Sequence, residues 1–265
     1  MKKYIVIGNP IEHSLSPKLH NHWIKKNNID AVYDKKLLNE DGIESIISQV
    51  KKGKIDGINV TVPFKKSVIP FLHELSAEAN ESRSVNTIYK ENDKVIGHNT
   101  DIAGFELSLR YSKYDVKDKK VFILGAGGVV SSIILALKKM GTSKIIISNR
   151  TKQKAEDLKK FFSDLELINW GEIPEFHMIV NATTIGLKEH DEIKLNYTDI
   201  GSNKFFYDVI YNPKQTNFLK KAKMFGNQTE NGKMMFIYQA HQAFTIWHKV
   251  IPEIDEETIK LLDND

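Results

Sequence analysis

The sequence predicts an α/β protein of two domains, on three observations. Short apolar runs alternate with helix-length amphipathic segments, the pattern of mainly parallel sheets covered by helices. The alternation starts afresh at Lys119, and the run 121–130, VFILGAGGVV, breaks from a buried strand into a glycine-rich turn. A length of 265 residues favours two domains over one.

In chain order, 3–7 reads as the first strand, turned by Gly8-Asn9-Pro10 into the loop 11–16. Pro17 suits a first helical position, which makes Ser16 the N-cap of a helix running to about Asn27. A strand over 31–38, a helix over 41–51 and a strand over 57–62 closed by Pro63 follow, then a short helical stretch from Phe64. Next come a helix over 76–82, strands over 85–89 and 94–98 around the turn 91–93, and a helix over 101–111. In the second half, strands are expected at 121–124, 144–148, 166–168, 178–181 and 205–209. Helices are expected there at 129–140, 152–162, 216–225, 233–248 and 255–262.

The chain is 41% hydrophobic and 27% charged with a net charge of +4, ordinary for a globular protein. Cations mix with acids in segments such as 151–160, which reads as a solvated surface and argues against a nucleic-acid partner. A small anionic substrate remains compatible. Without cysteine, neither disulfides nor thiolate metal sites can form. The apolar run behind Lys2 and Lys3 is too short for a signal peptide, and no stretch has the length of a membrane span. A cytoplasmic protein with no membrane partner is expected.

A strand, a glycine turn and a helix N-terminus gather backbone N–H groups and the positive end of a helix dipole at one point. Gly125, Ala126, Gly127, Gly128 and Val129 provide that geometry, although the third small position of G-x-G-x-x-G/A falls on Val130. Alone, the motif fits a ligand-free turn as well as a dinucleotide pyrophosphate site. The next strand ends in Asn149-Arg150-Thr151, with Lys154 one turn into the following helix. An NAD site places an acid there, whereas a guanidinium and a hydroxyl suit a 2′-phosphate. Thr151 also fits a helix N-cap. Spacing and chemistry together point to NADP and to a doubly wound, Rossmann-type second domain.

In the first half, polar residues collect where strands end. Ser14 and Ser16 stand at i and i+2, on one side of an extended segment, and could both donate to a carboxylate. Asn59 and Thr61 alternate with valines before Pro63, which throws Lys65 into a loop; Asn86-Thr87 and Asn99-Thr100-Asp101 complete the set. Hydroxyls and amides suit a polyol acid, and a lysine–aspartate pair can supply the proton that hydride transfer to a ketone requires. Lys65 past a strand end should add little to the core, so folding is expected to survive its removal. The nine histidines are scattered; His13, His20 and His22 read as structural or surface groups, and no metal site is expected.

The stretches GNPIEHSLSPKLHN, INVTVPFK, SVNT, GHNTD, LGAGG, SNRT, NATTIGL and NGKMMFIYQA resemble, in order and spacing, the signatures of the shikimate dehydrogenase family. The resemblance spans almost the whole chain. It implies an NADP-dependent oxidoreductase that interconverts 3-dehydroshikimate and shikimate on the way to the aromatic amino acids. Lys65 becomes the catalytic proton donor and acceptor, and Asp101 its partner on the substrate. Ser14, Ser16, Asn59, Thr61, Asn86, Tyr211 and Gln239 match substrate-binding positions. The residues from Gly125 to Val129, those from Asn149 to Lys154, Thr183, Val209 and Gly232 match NADP contacts. The helix of Gln239 is expected to return to the first domain, giving a substrate domain of 1–101 plus 238–265 and an NADP domain of 102–237, in a monomer or homodimer. Arg83 stands where the family often has glycine. A quinate/shikimate dehydrogenase using NAD, or a non-catalytic ligand sensor, are the alternatives. The first is disfavoured by Arg150 and the second by the presence of both Lys65 and Asp101.

Overall fold

Strand ends, more than helices, decide where polar residues meet in this chain. The computed structural model describes residues 1–263. It divides into one unit of Met1–Gly104 with the chain from Ile237, and a second of Phe105–Phe236. The boundaries fall inside two helices.

The first unit runs β1 (Lys2–Gly8), α1 (Ser16–Lys26), β2 (Ala31–Leu37), α2 (Ile43–Lys51), β3 (Gly57–Val60), β4 (Glu74–Leu75), α3 (Ala77–Ser82), β5 (Thr87–Glu91), β6 (Lys94–His98) and the start of α4 (Asp101–Tyr111). Its sheet has the order β2-β1-β3-β5-β6-β4. Only β5 runs antiparallel to its neighbours. Ile7, Ile58, Val60 and Ile88 from the sheet pack with Ile43, Ile46 and Val50 of α2. Phe64 and Val68 join that core and so pin the loop that carries Lys65.

The second unit runs β7 (Lys120–Leu124), α5 (Val130–Lys139), β8 (Lys144–Ser148), α6 (Lys152–Phe161), β9 (Glu166–Ile168), β10 (Met178–Asn181), α7 (Tyr197–Ile200), β11 (Phe205–Asp208), α8 (Asn217–Met224), β12 (Gln228–Glu230) and the start of α9 (Lys233–His248). Beyond α9 lies α10 (Glu256–Leu261), in the first unit. All pairings in the order β12-β11-β10-β7-β8-β9 are parallel. This is the doubly wound order, whose direction of winding reverses between β7 and β10, where such sheets bind ligands. Ser148, Leu124, Asn181 and Asp208 stand level in one row at the carboxyl ends of β8, β7, β10 and β11.

Two local expectations change. No helix follows Phe64: turns lead into a 3₁₀ turn over Ile69–Phe71. Pro63 and Pro70 each lack the N–H that a helix needs, and the carbonyl of Lys66 accepts from Ile69 instead. Ser16 is not the N-cap of α1 but its first residue, after Leu15 and with no side-chain cap. Its own N–H donates to Ser14 Oγ at 3.4 Å, and its hydroxyl bonds Tyr33. Otherwise the strand and helix ends shift by a residue or two.

His20 lies fully buried on α1, stacked on Tyr33 at 4.2 Å, and neither ring nitrogen has a hydrogen-bond partner. Burial, with His248 nearby, pushes its pKa down to about 3. The unfolded chain therefore binds this proton first. The stability His20 contributes is complete above about pH 6.5 and is lost as pH falls towards 3, at about 1.4 kcal/mol per pH unit. His20→Phe keeps the stack and removes the proton site, so its melting temperature is expected to fall less than the wild type's between pH 6.5 and 4. Parallel curves for the two proteins would contradict this.

Candidate active site

The polar cluster of the first unit begins with a helix cap. Asn99 Oδ1 accepts the N–H groups of Asp101 and Ile102, while its Nδ2 donates to Ser82 Oγ and the Ser84 carbonyl. This fixes the first turn of α4 and with it the Asp101 carboxylate. Lys65 comes from the loop after β3; its carbonyl accepts from Val85 N–H at 2.8 Å. Its Nζ donates to Asp101 Oδ2 at 2.5 Å, with side chains only 11% and 7% exposed. Asn86 holds the other carboxylate oxygen: Nδ2 donates to Asp101 Oδ1 at 3.0 Å, to Thr100 Oγ1 and to Gln239 Oε1. The pair is thus oriented by neutral amides and hydroxyls, the arrangement that keeps a largely buried ion pair affordable.

Asn59, Asn86 and Gln239 belong to this one network. Asn59 Nδ2 donates to the Asn86 carbonyl and to Thr87 Oγ1, and its Oδ1 accepts from Tyr33 Oη at 2.6 Å. Ser16 enters through Tyr33. The loop bearing Thr61 is laced to β1, since Thr61 N–H donates to the Ile7 carbonyl and Asn9 N–H to that of Val62. Ser14 is half-buried beside Ser16. Tyr211 belongs to the second unit, with its ring 4.5 Å from that of Phe236. Sequence reading passed over Tyr33 because a tyrosine inside a strand has no signature beyond ordinary strand chemistry.

The second unit carries a cluster of its own. Gly125 has φ +114°, and a Cβ there would lie 2.8 Å from the Ala182 carbonyl oxygen, so only glycine closes this turn against β10. At Gly127 a Cβ would meet nothing within 4 Å, so the crest of the turn is open. Neither α5 nor α6 has a side-chain cap, which leaves first-turn N–H groups for an anion. Arg150, Thr151 and Lys154 are exposed at the start of α6, and Asn149 Nδ2 fastens that turn by donating to the Thr151 carbonyl at 2.7 Å. Thr183, Val209 and Gly232 follow the ends of β10, β11 and β12. These residues fit a dinucleotide with a 2′-phosphate: an open glycine turn for the pyrophosphate, and cations without a competing acid in the Asn149-Arg150-Thr151 turn. Elsewhere, His22, Asp255 and Glu257 offer ligand atoms within 4.8 Å of one another. Asp255 is already engaged by the Lys26 ammonium and by capping Thr258.

A doubly wound dinucleotide unit and a separate unit carrying a lysine–carboxylate pair are the parts of an NADP-dependent oxidoreductase. Residues 6–88 match the family described as shikimate dehydrogenase substrate binding domain, and residues 106–187 that described as shikimate / quinate 5-dehydrogenase. A shikimate dehydrogenase (NADP(+)) of Pelagibacter ubique is 64% identical over 99% of both chains. The crystal structure of the Aquifex aeolicus shikimate dehydrogenase superposes with a TM-score of 0.92 at 38% identity, covering 100% of this chain and 98% of that one. A shikimate dehydrogenase crystallised with NADP+ gives 0.93 at 33% identity, covering 100% and 95%. The chain belongs to the shikimate dehydrogenase family.

Asn86 is the neutral hub of the first unit's cluster. Asn86→Ala strips a donor from Asp101 Oδ1 and the acceptor of Thr100 N–H. Unsatisfied buried groups of this kind cost about 1–3 kcal/mol each, so a clear fall in melting temperature is expected. A variant that melts with the wild type would show that the cluster does not depend on this hub.

Proposed function

We propose that this chain catalyses the NADP-dependent, reversible reduction of 3-dehydroshikimate to shikimate, with Lys65 as the proton-transfer group. The observation that carries this reading is the Lys65–Asp101 pair, 2.5 Å apart and held by Asn86 among hydroxyls and amides. NADPH, when bound, supplies the hydride. The chain supplies the proton: Lys65 Nζ gives it to the ketone oxygen as that oxygen takes up the carbonyl electron pair, and it takes a proton back in the oxidising direction. Asp101, fixed by the α4 cap, aims the ammonium and bonds a substrate hydroxyl. Ser14 and Ser16 take the substrate carboxylate; Asn59, Thr61, Asn86, Gln239 and Tyr211 take its hydroxyls and flanks. In the second unit, the turn from Gly125 to Val129 seats the pyrophosphate, and Asn149, Arg150, Thr151 and Lys154 take the 2′-phosphate. Thr183, Val209 and Gly232 line the cofactor's further end. The reading also carries a cytoplasmic enzyme, monomer or homodimer, with neither nucleic-acid nor membrane partner. Its support is a mixed-charge surface and, among the described residues, no helix long and apolar enough to cross a membrane.

Lys65→Met retains most of the stem and removes the ammonium. Turnover of shikimate with NADP+ is expected to fall about 10²- to 10⁴-fold, the usual worth of a general acid–base group. A mere anchor would instead raise KM at nearly constant kcat. The burial of the pair revises the expectation that folding ignores this residue. Removing the cation leaves a carboxylate that is 7% exposed without its counter-charge, so the melting temperature should fall as well, and kcat must be read well below it. Wild-type turnover in Lys65→Met would refute the mechanism.

Arg150→Asp places an acid at the turn proposed to take the 2′-phosphate. Each charge-assisted bond lost is worth about 1.5–3 kcal/mol, roughly ten- to hundredfold in affinity. NADPH binding is expected to weaken by that order while NADH binding holds. Equal losses for both would remove Arg150 from phosphate recognition.

A further inference from the structure

Asp208 ends β11 with its side chain fully buried, facing no cation. Its carboxylate accepts three hydrogen bonds from three segments. Asn181 Nδ2, at the end of β10, donates to Oδ1 at 3.0 Å; Ile210 N–H, in the loop after β11, donates to Oδ1 at 3.0 Å; and Thr216 Oγ1, the N-cap of α8, donates to Oδ2 at 2.6 Å.

Each partner passes the constraint on. Asn181 Oδ1 accepts the Thr183 N–H at 3.1 Å and the Thr183 hydroxyl at 2.7 Å, and Asn181 Nδ2 also reaches the Ile185 carbonyl. Val209 N–H donates to the Asn181 carbonyl, and Gly232 N–H to the Ile210 carbonyl. A Cβ on Gly232 would lie 2.1 Å from the Val209 carbonyl oxygen, so the two backbones are in contact. The segments that present Thr183, Val209 and Gly232 therefore converge on one buried carboxylate.

We propose that Asp208 is a positioning residue for the cofactor, clamping the loops after β10 and β11 so that Thr183 and Val209 hold their places. This rests on the reading of those residues as NADP contacts. The ionised form accepts all three. A proton on Oδ2 leaves both N–H bonds on Oδ1 but turns the Thr216 bond round, so that a hydroxyl already accepting from Leu219 N–H must accept again and loses the acceptor for its own proton. Burial pushes the group up to about 6, against the opposing pull of those donors. The titratable groups around it are the phenols of Tyr207, on its own strand, and Tyr197, on α7. Burial raises both above their ordinary range. Glu192 and Glu230 act on those phenols, and burial raises Glu230 as well. Asn181, Thr216 and the loop backbone do not titrate.

The test is the dissociation constant of NADP+ by calorimetry, without substrate, for wild type, Asp208→Asn and Asp208→Ala between pH 5 and 8. Asp208→Asn copies the shape of the protonated acid. It is expected to bind NADP+ about three- to tenfold more weakly than wild type at pH 8, the worth of one hydrogen bond, and equally at pH 5. The ratio of the two proteins at each pH cancels titration of the ligand's own phosphates. Asp208→Ala orphans several donors and should lose at least about tenfold at every pH, with the KM for shikimate changed less than about twofold. If the alanine variant does not fold, the pH-dependent ratio for Asp208→Asn still decides. A ratio constant with pH, or a shikimate KM that rises with the NADP+ constant, overturns the assignment of Asp208. A wild-type protein that does not bind NADP+ overturns the cofactor reading itself, and this inference with it.

Discussion

Two opposite charges at Lys65 and Asp101 are almost wholly removed from water, and the first unit is built around making that tolerable. Taking either ion out of water costs several kcal/mol, recovered only when geometry is good and the remaining lone pairs are filled. Asp101 Oδ2 faces the ammonium and Oδ1 faces Asn86, while Asn99 ties the backbone that carries the carboxylate. The Asp101 carboxylate is the hydrogen-bonded partner that gives the ammonium its direction.

This explains why the loops are laced so tightly to the sheet. The stem of Lys65 has many rotamers, and pairing its ammonium with Asp101 requires its backbone to be held in place. Phe64 and Val68, one turn apart, anchor the segment in the core on either side of it. The carbonyl of Lys65 is tied to Val85, one residue before Asn86. The lysine and the amide that orients its partner are thereby positioned by the same short stretch of backbone. Packing and chemistry are coupled there through one hydrogen bond.

The second unit was the more legible half because its central strands β7, β8, β10 and β11 are buried and read as largely apolar runs. Glu166–Ile168 and Met178–Asn181 have the expected ends. The two-residue β4, the three-residue β12 and the four-residue α7 are too short to show a period, and the sequence offered no sign of them. Val68 N–H does close one helical turn on the Phe64 carbonyl, but Pro70 has no N–H to continue the ladder to Lys66, so the stretch stops there. Lys65 and Asp101 were legible because charged residues stood where apolar strands stop. Asp208 was not, because an acid closing a strand looks like a solvent-facing end until the register shows it level with Leu124 and Asn181 inside the row. Arg83 shows the same limit on the backbone side. It ends α3 in the left-handed region at φ +51°, a conformation glycine adopts without cost, which accounts for the glycine the family often places there.

Asp101 and Asp208 show how one side-chain type serves two ends. Both are buried, both sit where a strand or helix terminates, and both accept from an asparagine side chain. Asp101 faces the Lys65 ammonium, so its charge is compensated by a cation. Asp208 faces only neutral donors, so its charge belongs to the architecture. Its raised pKa makes that charge a liability: whatever stability the protonated form gives is lost as pH rises through about 6. A neutral asparagine would avoid the loss but could not accept at both oxygens. An ionisable group retained in a dry row of strand ends is explained if accepting three bonds at once, from β10, the loop after β11 and the cap of α8, outweighs the cost of burying it.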